Sequence, residues 1–137
     1  MPLLYRSPLR DIKFLFNDVL NAEQHYASLN GCQSVTPDLM DAILQGAATF
    51  AEEICAPLNQ SGDSEGCKFV DGRVSTPKGF KEAFKQYAAE GWQGMTEPEE
   101  FGGQALPASL GLSVGEMMGG ANWALNMYAG LAHAPVT

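Results

Sequence analysis

Three times along this chain a hydroxyl residue is followed at once by proline and then by an apolar stripe of helical period: Ser7-Pro8, Thr36-Pro37 and Thr76-Pro77. A Ser or Thr side chain accepts from the amides of a first helical turn, and proline suits the first helical position because its missing N–H is not needed there. Repetition of that signal constrains the chain to a mainly α fold. After Pro8, residues Leu9, Ile12, Leu15, Phe16, Val19 and Leu20 recur at threes and fours, predicting a helix over about 8–20 capped by Ser7. After Pro37, the run from Leu39 and Met40 through Leu44, Ala47, Phe50 and Ile54 to Leu58 predicts a long central helix. Pro57 must kink or finish it, and Gly62 is a plausible stop.

After Pro77, residues Phe80, Ala83, Phe84, Tyr87 and Ala88 share one face, and Gly91 supplies the left-handed residue beyond the helix end. Between these helices the period changes. His25 to Val35 contains Asn30-Gly31 and Ser34 and reads as a connector, part of it extending the first helix. Lys68-Phe69-Val70 and Arg73-Val74-Ser75 flank Asp71-Gly72, a pair suited to a type I′ turn, so a small β-hairpin is predicted near 68–75. Two strands alone are marginal, so the hairpin must lie against helices.

Leu110, Val114, Met117 and Met118 form a further stripe, with Gly111 and Gly115 placed for close approach of a neighbouring backbone and Gly119-Gly120 ending the helix. The last helix, 121–131, is apolar nearly all round apart from a polar line of Asn122, Asn126 and His133, and such a helix expects burial on every side. The sequence stops at Thr137, so this helix is expected either to pair with another copy or to be covered by domains outside these residues.

The length of 137 residues matches one helical domain, 1–137, in a bundle-like arrangement. A net charge of −8 opposes nucleic acid and anionic membrane surfaces. The amino terminus reaches charge at Arg6 before a signal-like apolar core forms, and no apolar run is long enough to span a bilayer, which points to the cytoplasm. Cys32, Cys55 and Cys67 have no metal-ligand spacing and read as reduced thiols; with His25 and His133 the only histidines, no metal centre is expected.

Residue chemistry points to no catalytic group. Glu97, Glu99 and Glu100 lie beside Pro98 on a glycine-rich loop, where solvent suffices to explain them. No phosphate-binding glycine motif follows a strand. Trp92, Trp123, Met127, Tyr128 and Leu131 are candidates for an apolar pocket, with plain core as the competing reading, and Asn122 and Asn126 are candidates for structural hydrogen bonds.

The loop Gly91-Trp92-Gln93-Gly94-Met95-Thr96-Glu97-Pro98-Glu99-Glu100-Phe101-Gly102-Gly103-Gln104 resembles the interhelical loop of the N-terminal helical domain of flavin-dependent acyl-CoA dehydrogenases. The likeness extends in order over Arg10–Leu20, Phe50–Glu53, Ala56–Asn59, Gly66–Gly72 and Thr76–Lys81, and is similar to the large bacterial branch that includes 3-methylmercaptopropionyl-CoA dehydrogenase. The resemblance implies α,β-dehydrogenation of acyl-CoA thioesters, with FAD taking the hydride and an electron-transferring flavoprotein the electrons. It implies a homo-oligomer, and that the catalytic glutamate and most flavin contacts belong to later domains. This chain would then be an N-terminal domain or fragment, inactive alone and without tightly bound FAD. Its contribution would be one wall of the acyl pocket, Leu125, Met127, Tyr128 and Leu131; no cofactor-binding residue is assigned. The competing expectation is a stand-alone helical interaction module using the apolar 121–131 surface.

Overall fold

The computed structural model describes residues 4–133, excepting the side chains of Ala132 and His133. The terminal Met1-Pro2-Leu3 and Ala134–Thr137, and the place of the His133 side chain on the polar line, lie outside the described residues. The fold is mainly helical with one two-stranded hairpin. Helix α1 (Leu9–Phe14) runs on through a π-helical turn, Leu15–Val19, and α2 spans Ala22–Ser28. Helix α3 (Pro37–Phe50) continues through a second π-helical turn, Ala51–Cys55, into α4 (Ala56–Glu65). Strands β1 (Lys68–Val70) and β2 (Arg73–Ser75) precede α5 (Phe80–Ala89), and α6 (Ala108–Ala121) and α7 (Trp123–His133) complete the order.

Of the three proline signals one behaves as the local rule expects. Thr36 caps α3, its hydroxyl accepting from the Leu39 amide at 3.2 Å. Ser7 does not cap α1; its backbone N–H donates to Glu52 Oε1 at 3.0 Å, and the Asp11 and Ile12 amides bond the Pro8 carbonyl. Thr76 does not cap α5, which begins only at Phe80 behind a left-handed Gly79. The chain before α1 is held instead by the Ser7 amide on Glu52, and the chain before α5 by the Lys78 amide donating to Glu65 Oε2 at 2.9 Å. Gly91, with φ 83°, does follow α5 as expected, its amide bonding the Ala88 carbonyl.

Pro57 does not end its helix, because the π-helical turn resets the hydrogen-bond ladder and leaves proline in the first turn of α4, where a missing amide is tolerated. Nor is Gly62 a stop. It lies inside α4, where a Cβ would sit 2.6 Å from the Phe80 ring, so glycine there admits the start of α5. The helix ends at Gly66 instead. Gly119-Gly120 likewise fall inside α6 and receive the Trp123 and Tyr5 rings. The connector after His25 is corrected in part: α2 is a separate helix, set off from α1 by Asn21 at φ 47°, and it buries Tyr26.

The core runs from Ile12 and Phe16 of α1 through Leu44 and Ala47 of α3 to Leu110 and Met117 of α6. Helix α3 packs on α1 and α6, while α6 packs on α7 and α7 on α4 and α5. The α1 stripe is narrower than its periodicity implies, since Leu15, Val19 and Leu20 are exposed. The hairpin has Asp71 and Gly72 both at positive φ, as a type I′ turn requires. Every residue in its strands is exposed, contrary to the expectation that it lies against helices. Among the described residues no helix is long and apolar enough to cross a membrane.

Candidate functional site

Helices α6 and α7 are separated by one extended residue, Asn122, at φ −158° and ψ 92°. Its Oδ1 accepts from the Leu125 amide at 3.0 Å, which caps α7, and its Nδ2 donates to the Cys55 carbonyl at 3.1 Å. The side chain is 1% exposed, so both bonds form away from water. Asn122 thus has the structural role expected of it, and it sets the direction of α7.

That direction divides the four residues expected to form an acyl wall. Leu125 is buried in the core, whereas Met127, Tyr128 and Leu131 are exposed. Tyr128 stands edge-on to the Phe80 and Phe84 rings, with centroids 6.1 and 6.4 Å away. Its hydroxyl lies 3.7 Å from Cys67 Sγ, and this hydrogen bond, with burial second, pushes the phenol up from its ordinary value. The expectation of burial all round α7 is not met: Trp123 is 65% and Leu131 70% exposed.

None of the four lines the larger concavity beside α7, a cleft of about 550 Å³ between the glycine-rich loop and helices α6 and α7. Trp92, Met95, Gly115, Met118, Trp123 and Asn126 are among its walls. Two of the aromatics proposed from sequence for an apolar pocket, Trp92 and Trp123, therefore do line one. Gln93 bridges the cleft floor, donating from Nε2 to the Ala129 carbonyl at 3.3 Å. Sequence reasoning missed Met95, Met118 and Gly115 as lining residues; the Gly111/Gly115 spacing was the available signal. Gly111 does meet a neighbour, Thr96, but nothing approaches Gly115, which opens into the cleft.

The loop that forms the other wall is held by its own backbone. The amides of Gln104, Ala105 and Leu106 bond the carbonyls of Gly94, Glu97 and Met95 at 2.9 to 3.0 Å. Glu97 is buried, only 8% exposed, so the solvated-carboxylate reading fails for it and stands for exposed Glu99 and Glu100. Among the described residues no group of three or more His, Cys, Asp and Glu could hold a metal ion. The cleft walls include no Lys, Arg or His and carry exposed Glu116, so they offer no counter-charge to a dinucleotide diphosphate. These residues do not fit a self-sufficient flavin site.

A core of α1, α3 and α6 carrying a rigid loop and an apolar last helix agrees with the ordered resemblance, and comparison with known proteins gives the class: the chain is homologous to part of an acyl-CoA dehydrogenase. The relative is 3-methylmercaptopropionyl-CoA dehydrogenase of Ruegeria pomeroyi, 33% identical over 125 residues. Those residues are 91% of this chain and 21% of the relative, so the chain spans about a fifth of that enzyme's length. No family model matches the chain.

Proposed function

We propose that this chain is the N-terminal helical domain, or a fragment containing it, of an FAD-dependent acyl-CoA dehydrogenase acting on acyl-CoA thioesters in the cytoplasm. The carrying observation is homology that runs through nearly all of this chain and only a fifth of the relative. In this reading the exposed side chains Met127, Tyr128 and Leu131 contribute one wall of the acyl pocket, and Leu125 holds that helix from behind. The base, most flavin contacts and the surface used by an electron-transferring flavoprotein lie outside these residues, and the complete enzyme is a homo-oligomer. The purified chain should show neither stoichiometric flavin absorbance nor acyl-CoA oxidation. Tight FAD binding with unaided turnover would sink the proposal.

A second reading, a stand-alone interaction module, is favoured by the exposure of Trp123 and Leu131 on α7. Light scattering of the wild type and a Trp123→Asp/Leu131→Asp variant separates the two. The module reading requires an assembly that disappears with the α7 face.

A further inference from the structure

The chain ahead of α1 crosses the outside of the seam that Asn122 closes from within. The Tyr5 hydroxyl donates to the Met117 carbonyl at 2.8 Å, across 112 residues of sequence and one turn before α6 ends. The half-buried Tyr5 ring lies over Gly120, where a Cβ would stand 3.1 Å from the hydroxyl oxygen and 3.3 Å from Cε2. The next two residues are fixed to the π-helical turn Ala51–Cys55. The Arg6 guanidinium pairs with one oxygen of Glu52, and the Ser7 amide donates to the other.

Two fastenings therefore join the end of α6 to the same π-helical turn. One is the buried bond from Asn122 to the Cys55 carbonyl, and the other is this strap at the surface. The Cys55 thiol lies between them and α7: Phe50, Cys55, Met118, Leu125 and Ala129 line one small cavity, and Cys55 is 3% exposed. Because Leu125 and Ala129 are α7 residues, lifting that helix uncovers the thiol. The strap's bonds involve exposed or half-exposed groups, each of modest strength, so it is the fastening that yields to a local opening.

We propose that Tyr5 is a positioning residue for α7: residues 4–8 form a clasp that holds the end of α6 against the π-helical turn, and its release lets α7 swing off Cys55 while α1 and α3 stay folded. The proposed function enters only through the meaning of that movement, since α7 carries the proposed acyl wall. A clasp that fails leaves that reading intact, and the flavin measurement that tests that reading does not test the clasp.

The test is the rate of iodoacetamide alkylation at Cys55 in the whole chain, mapped by peptide over a urea series, with exposed Cys67 as internal reference and far-UV circular dichroism to check folding. Wild-type Cys55 should label slowly, with the urea dependence of global unfolding. Tyr5→Ala should raise the rate roughly tenfold, the size that one lost hydrogen bond and its ring contact give. That rate should be nearly flat in urea, because a local opening exposes little surface. Tyr5→Phe, which keeps the ring, should lie between the two. Gly120→Val fills the notch from the other side, so it should raise the rate in the wild-type background and leave it unchanged in Tyr5→Ala, where no ring remains to be displaced. An unchanged Cys55 rate in Tyr5→Ala overturns the proposal, as does a rise as steep in urea as global unfolding. So does a Gly120→Val effect equal in both backgrounds, or a Tyr5→Ala chain that loses its helical signal altogether.

Discussion

Asn122 Nδ2 meets the Cys55 carbonyl at 3.1 Å, joining the break between α6 and α7 to the π-helical turn beneath it across 67 residues of sequence. The same side chain caps α7 through the Leu125 amide. One buried amide therefore holds both the start and the direction of the helix proposed to form the acyl wall.

Replacing it should be expensive. Asn122→Ala removes a cap and a buried bond, together worth about 2 to 3 kcal/mol. Urea denaturation checks this, and a loss below about 0.5 kcal/mol, the scale of an ordinary surface substitution, would contradict the role given to it. Asn122→Asp keeps the cap but sets a buried carboxylate against the Cys55 carbonyl, so it should cost at least as much as Ala.

The loop glycines should differ sharply from one another. A Cβ on Gly103 would lie 2.1 Å from the Glu97 carbonyl oxygen, a backbone atom that cannot swing aside. Gly103→Ala should therefore cost about 3 kcal/mol or more through forced backbone movement. Gly102 sits at φ 81° with nothing near its missing Cβ, so Gly102→Ala carries only the left-handed penalty, about 1 kcal/mol. Thermal melts of the two variants should rank in that order.

Glu52 makes stability pH-dependent at the acid end. The Ser7 backbone amide, and after it the Arg6 guanidinium, hold its carboxyl below the ordinary value of 4.5. Because the folded pKa is the lower one, the stabilisation is complete above the unfolded pKa and is lost as pH falls through the folded value. The stability difference between wild type and Glu52→Gln should accordingly persist at neutral pH and close on acidification below 4.5. A difference that widened in acid would reverse the assignment.

Thiol reactivity should separate two of the cysteines. Burial pushes the Cys55 thiol up to about 12, whereas Cys67 is exposed beside the Tyr128 hydroxyl. Cys67 should be alkylated in the native protein and Cys55 only on unfolding, since the thiolate is the nucleophile. Peptide mapping after iodoacetamide treatment reads this directly, and native labelling of Cys55 would contradict its burial.

The helices were legible because their periodicity is local. Leu44, Ala47 and Phe50 recur on one side of α3, and all three are buried there. The hairpin turn was legible for the same reason, since Asp71-Gly72 carries the two positive φ angles in its own residues. Gly62, Gly119 and Gly120 misled because a glycine that ends a helix and one that admits a neighbouring ring look identical in sequence. Glu97 misled because its neighbours are loop-like, while burial depends on the Gln104–Leu106 segment folding back over it. The cleft was only half legible: its two tryptophans stand out by type, but Gln93 and Gly115 acquire a place there only when α6, α7 and the loop come together.

The sequence by itself determined the mainly helical class, the position of the hairpin and the homology to part of an acyl-CoA dehydrogenase. Periodicity, turn chemistry and ordered identity are all properties of neighbouring residues. Tertiary structure alone decided that α3 runs on through a π-helical turn into α4 with Pro57 in its first turn, that Asn122 aims α7, and that Leu125 turns inward while Leu131 faces out. Each of these depends on which distant group satisfies a backbone bond or covers a side chain, and no local pattern encodes that partner.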